Sequence, residues 1–217
     1  MRTVLALCLV LTSCDRVFGL VPRPIDAPID TPIDGSPPDI ASDAGRQVRI
    51  PILTSEDDSL EDPDTTMQVS YPYMSLYTNG HWGAFRFTLP LEIAAGATIT
   101  VAYLEAVIDS ASEDSPAVEI TTEAIANPPP FTVGNSRISQ RITGTARVAW
   151  NGTRLGEGVV QSPSLVSLIT ERVTARDWVP GSSVMLILDA MDGSMFELRQ
   201  FDHVDTFVPT LVLEWSN

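Results

Sequence analysis

Gly83-Ala84-Phe85-Arg86-Phe87-Thr88-Leu89 is the stretch that decides the fold. In an extended chain Phe85, Phe87 and Leu89 share one face while Ala84, Arg86 and Thr88 share the other. One face is set to be dry and the other wet, as in a sheet that covers a core on one side only. Segments of the same kind recur on both sides of it, at 48–53, 66–69, 74–77, 98–109, 117–126, 144–150, 183–189, 195–201 and 209–215, separated by Gly, Pro, Asn and Asp. The predicted architecture is all-β, two antiparallel sheets packed as a sandwich. One stretch departs from the period of two. Over 163–176, Leu165, Leu168, Ile169 and Val173 repeat at helical spacing behind Ser162 and Pro163. That predicts one short α-helix, capped by Ser162 and packed on an end or edge of the sandwich.

Ahead of these strands the chain reads differently. Arg2 and the apolar run from Val4 to Val10 are too short to cross a bilayer and suit the core of a signal peptide. Leu11-Thr12-Ser13-Cys14 follows, an aliphatic residue, two small ones and a cysteine. This pattern resembles the bacterial lipoprotein box, which implies cleavage after residue 13 and acylation of Cys14. Next come Pro24-Ile25-Asp26, Pro28-Ile29-Asp30 and Pro32-Ile33-Asp34, a four-residue repeat running into Gly35-Ser36-Pro37-Pro38. Proline at that density with repelling aspartates predicts an extended, disordered tether. Its reach has an upper bound of roughly 90 Å at about 3.1 Å per residue. The predicted division is a signal peptide at 1–13, a lipidated cysteine and tether at 14–45, and a β-sandwich domain at 46–217.

Composition narrows the function. Cys8 leaves with the signal peptide and Cys14 carries lipid, so the expected mature domain has no thiol for a disulfide, a zinc site or a nucleophile. The formal charge is −15, and every cation is an arginine. A field of that sign repels phosphate backbones and anionic headgroups, which excludes nucleic acid as a partner and leaves acyl chains as the means of membrane attachment. The expected location is the cell envelope, with the outer membrane favoured.

The ordered part resembles a bacterial family of jelly-roll modules related to carbohydrate-binding modules, the DNRLRE-like family. The resemblance rests on Ser55-Glu56-Asp57-Asp58-Ser59-Leu60-Glu61, Phe85-Arg86-Phe87, Gly96-Ala97-Thr98-Ile99-Thr100, Ala102-Tyr103-Leu104, Val148-Ala149-Trp150, Trp178 after the helix, and the closing Val208-Pro209-Thr210-Leu211-Val212-Leu213-Glu214. It implies a jelly roll that binds or displays and performs no chemistry. The chain departs from the family at Asp57-Asp58-Ser59-Leu60-Glu61 and at Phe201-Asp202-His203-Val204-Asp205.

Two groups of residues in the domain are candidate sites. Asp57, Asp58 and Glu61 concentrate carboxylates in what reads as a loop, a candidate structural calcium site that Asp202 or Asp205 would complete. Trp82, Tyr71 and Tyr73 lie near turn signals, and Arg86 shares a strand face with Trp82; aromatic rings with a nearby guanidinium suit pyranose rings and their hydroxyls. Trp150, Trp178 and Trp215 are expected in the core. Two histidines, His81 and His203, and no Gly-x-Ser-x-Gly elbow leave little for catalysis, so no enzyme is expected. The expected ligand is a polysaccharide; the alternative is a structural or adhesion module that docks another envelope protein, and a hydrolase would need two carboxylates facing each other across a cleft.

Overall fold

The computed structural model describes residues 47–217 apart from 79, 109–114, 133, 135–136, 153–154 and 204–206. The signal peptide, Cys14, the tether, Asp205 and Asn79 lie outside the described residues.

Twelve strands are present among the described residues: β1 (Val48–Pro51), β2 (Asp58–Glu61), β3 (Met67–Gln68), β4 (Tyr73–Leu76), β5 (Trp82–Thr88), β6 (Thr98–Ile108), β7 (Ala117–Thr122), β8 (Val148–Asn151), β9 (Gly158–Gln161), β10 (Ser183–Ala190), β11 (Phe196–Arg199) and β12 (Thr210–Ser216). All pairings are antiparallel. In sheet A, β12 lies between β1 and β6, with β9 also on β6, and β11 joins β6 to the edge strand β4. Sheet B runs β3-β2-β5-β10-β7-β8. Setting aside the short strands β2, β3, β4 and β11 leaves β1-β12-β6-β9 opposite β5-β10-β7-β8, so that successive strands cross between the sheets at every step but β7 to β8, and the first strand pairs with the last. That connectivity is a jelly roll.

The core lies between the sheets. Phe85, Phe87, Leu186, Leu188 and Ile120 from sheet B meet Leu104, Ala106, Ile108, Leu211 and Leu213 from sheet A, all buried in one cluster. Trp150 stacks edge-on against Phe196 at 4.9 Å. Trp150, Trp178 and Trp215 are all buried, as their flanking patterns predict. Gly83 lets β4 lie close over β5, because a Cβ there would run into the Met74 side chain. Truncating any of these large core side chains is worth about 2–5 kcal/mol.

The helix α1 (Val166–Val173) is shorter than its sequence pattern and packs against β6 and β7, one strand from each sheet. Leu168, Ile169 and Val173 join the core from it. Ser162 does not cap it. Its hydroxyl accepts from the Leu104 N–H at 3.0 Å and donates to the Pro163 carbonyl at 2.8 Å, which fastens the segment before the helix to β6.

Two departures from the sequence reading shape the surface. The acidic stretch is a strand: β2 pairs with β5 as Asp58↔Phe85, Ser59↔Ala84, Leu60↔Gly83 and Glu61↔Trp82. And the outer face of β5 is wet only at its ends. The segment from Glu123 to Arg147 crosses sheet B and seats Phe131 and Ile138 on Ala84, Met185 and Ile187, forming a second, smaller buried cluster.

Polar anchors hold this roof. The Phe131 N–H donates to the Glu56 carbonyl at 2.7 Å, and Arg141 pairs with Glu123 at 2.6 Å with both side chains under one tenth exposed. The Arg141 guanidinium also lies 4.8 Å from the centre of the Phe131 ring. Glu171 of α1 accepts from Thr145 N–H and hydroxyl at 2.7 Å and from the Ala146 N–H at 2.9 Å, closing the roof's far end.

Candidate functional site

The candidate calcium residues point to three separate partners. Alternation along β2 puts Asp58 and Glu61 on opposite faces. Glu61, on the outer side, accepts from the Ser139 N–H at 2.9 Å and its hydroxyl at 2.7 Å. Asp57, in the 3₁₀ turn Ser55–Asp57, pairs with Arg86 at 2.7 Å. Asp58 points to the core side, fully buried, and accepts from the Phe201 N–H at 2.7 Å. Burial, with Asp202 and Asp57 repelling it, pushes its carboxyl up to about 8 even though that hydrogen bond favours the charged form. Among the described residues no three His, Cys, Asp or Glu side chains are placed to hold a metal by themselves.

Arg86 is likewise a fastener. Its Nε donates to the Pro128 carbonyl at 2.7 Å while its other arm holds Asp57, so the guanidinium ties the roof to the turn before β2. It is engaged under the roof and does not stand beside Trp82 as a free donor.

Tyr71 and Tyr73 do come together, at the edge strand β4 of sheet A. Their rings are 6.4 Å apart at 74°, and Tyr73 meets His203 at 5.2 Å and 69°. Three rings set edge to face cannot lie flat under one sugar face. The strand register places Tyr73 opposite Arg199 and Ser75 opposite Glu197. Glu197 accepts from both the Ser75 and Tyr77 hydroxyls at 2.7 Å. The result is a narrow polar strip on an edge strand, with Tyr71 and Tyr77 each about two fifths exposed.

Trp82 stands elsewhere, at the end of sheet B that the roof leaves open. It leans on the small cluster beneath the roof and is partly exposed. Its cross-strand neighbours continue as a row: Trp82↔Asp189 on β10, then Asp189↔Glu119 on β7. Directly opposed residues of this kind have Cβ atoms about 4.5–5.5 Å apart. Arg147 reaches Glu119 at 3.1 Å. Among the described residues no donor engages the Asp189 carboxylate, and partial burial with Glu119 beside it pushes that carboxyl up to about 6. A partly exposed indole, an unclaimed carboxylate and an exposed Arg–Glu pair thus follow one another across the outer face of sheet B.

Sequence reasoning missed Asp189 and Glu119. Each sits inside an apolar run as a single outward-facing acid, and only strand order shows that both adjoin Trp82. A groove of about 270 Å³ also opens beside Tyr103, lined by Thr100, Gln161 and Ser164 among others. Its Gln161 is already engaged, donating to Glu105 at 3.2 Å.

No protein-family model matches the chain, and no curated protein is measurably similar to it. Among the described residues no helix is long and apolar enough to cross a membrane.

Proposed function

We propose that this chain is a lipid-anchored envelope protein whose β-sandwich is a non-catalytic module for binding polysaccharide, attached through acyl chains on Cys14 and held away from the bilayer by the segment 14–45. The row Trp82–Asp189–Glu119–Arg147 carries the binding half of this reading. The indole offers an apolar face to a pyranose ring, while Asp189 and Glu119 accept from hydroxyls and Arg147 donates to them. A surface as acidic as this one disfavours polyanionic glycans, so the ligand class is neutral or amino-bearing polysaccharide. The two carboxylates sit side by side on an open sheet, with Glu119 neutralised by Arg147. They do not face each other across a cleft, which supports binding over hydrolysis.

The test for binding is a pull-down on insoluble chitin, cellulose and bacterial sacculi, together with a glycan array. Wild type is retained on at least one, and Trp82→Ala, assayed below its own melting temperature because Trp82 also packs on the cluster beneath the roof, loses about tenfold or more in affinity. Retention that survives Trp82→Ala intact sinks the site, and a chain bound by none of the probes sinks the ligand class. For the anchor, labelled palmitate enters the wild-type protein and is absent from Cys14→Ser; equal labelling of both refutes acylation there.

A second reading rests on the edge strand β4. Tyr71, Tyr73 and Tyr77 lie on or beside it, and among the described residues it is the last strand of sheet A, the kind of edge to which another chain adds a strand. On that reading an envelope protein co-purifies with wild type and is lost when Ser75 is replaced by proline.

A further inference from the structure

The turn at Gln200–His203 folds over β2, and the space between them holds an unusual number of buried polar atoms with nothing to bond. Asp58 is fully buried, and its Oδ1 has no partner. Gln200 is also fully buried, and neither its Oε1 nor its Nε2 is engaged. Asp202 uses Oδ1 to accept from the Ser55 hydroxyl at 2.8 Å, whereas its Oδ2 is buried and unpartnered. Phe201 ties this turn to Asp58, close enough for Asp58 and Asp202 to repel each other. Its N–H donates to Asp58 Oδ2 at 2.7 Å, and Gln200 and Asp202 are its two chain neighbours. Among the described residues no guanidinium pairs with either Asp58 or Asp202.

Buried polar groups in folded proteins are almost always satisfied by protein, water or an ion. Two carboxylates that share a dry space without a cation are among the costliest arrangements available. The donor set is all oxygen: two carboxylates and one amide carbonyl, without nitrogen or sulfur ligands. That chemistry selects a hard cation. Two negative charges match a divalent ion, and a site with only three side-chain oxygens, to be filled out by backbone carbonyls and water, suits the adaptable coordination of calcium better than the strict octahedron of magnesium.

We propose that Asp58, Gln200 and Asp202 form a calcium site that clasps the turn before β12 onto β2. Asp57 and Glu61 take no part in it, being held by Arg86 and Ser139. The Gln200 Nε2 donates to one of the ion's waters, which accounts for the orphaned amide group as well as the oxygens. The site is separate from the Trp82 row, so glycan retention and ion binding stand or fall independently.

Calorimetric titration of the chelator-stripped chain with calcium chloride tests this directly. The expected result is one ion per chain and a melting temperature raised by about 5 °C or more at saturating calcium. Asp202→Asn, at a partly exposed position, keeps the fold and loses about tenfold or more in calcium affinity; Asp58→Asn loses binding altogether. Absence of heat and of any thermal shift in wild type overturns the proposal, as does calcium binding that both asparagine variants retain in full. A wild type indifferent to calcium, alongside an Asp58→Asn chain more stable than it, means that the space holds a proton instead of an ion.

Discussion

The outer face of sheet B and the outer face of the β4–β11 strand pair carry similar residue types, and the protein uses them in opposite ways. Arg86 under the roof, and Arg141 and Glu123 within it, are nearly sealed from solvent and each is matched to a partner. On the β4–β11 pair, Tyr73, Ser75, Glu197 and Arg199 lie part-exposed and in register. The same contrast appears along the roof segment itself, between Arg141–Glu123 in its sealed part and Arg147–Glu119 at its exposed end. A charge that is covered becomes part of the framework, because removing its partner leaves an uncompensated ion in a low dielectric. Where it stays wet it costs little to lose and can turn to a ligand.

Arg141→Ala should have the largest effect on that contrast. It strips a buried partner from Glu123 and the cation from the face of Phe131, and should lower unfolding free energy by about 3–5 kcal/mol in urea titration. A loss under about 1 kcal/mol would show that the roof is dispensable. The intermediate effect is one of pH. The folded chain holds a proton on Asp58 up to about pH 8, against an ordinary carboxyl value of 3.8, so between those limits it binds a proton that the unfolded chain has released. Stability from this group is therefore complete below about pH 4 and falls as pH rises toward 8. Asp189, raised to about 6, acts in the same direction over a narrower window. In excess chelator, melting temperature should decline from pH 5 to pH 9 for wild type and decline less for Asp58→Asn; equal slopes would remove Asp58 as the cause. Arg147→Ala should be smallest. Both partners of its ion pair are about two fifths exposed, and the change should cost at most about 1 kcal/mol.

The sandwich was legible because period-two alternation is a local signal, and ten of the predicted segments coincide with strands. Strands β2 and β9 were not. Asp58-Ser59-Leu60-Glu61 has the composition of a loop, and its extended form is imposed by pairing with β5. Gly158–Gln161 is four residues long, with a glycine at one end, and gains its definition from β6. The roof left no periodic trace, since its sequence is a loop whose two apolar anchors, Phe131 and Ile138, lie seven residues apart. For that reason the face predicted to be wet is largely covered.

Of the candidate site, residue types were readable and neighbours were not. Tyr71 and Tyr73 are two positions apart and meet for that local reason. Trp82 and Arg86 share a strand face, but four residues on a strand span about 13 Å, and the roof's edge falls between them. The partners of Trp82 come from residues 119 and 189, which only the order of strands in sheet B brings alongside.

The pairing of the first strand with the last has a mechanical consequence. Val48–Pro51 lies at the margin of sheet A, held along one side by Leu213 through Thr210. Any pull on the chain ahead of Gln47 reaches these four residues before anything else. Under load β1 should peel away first, while β12 stays locked to the longer β6 and sheet B keeps its form.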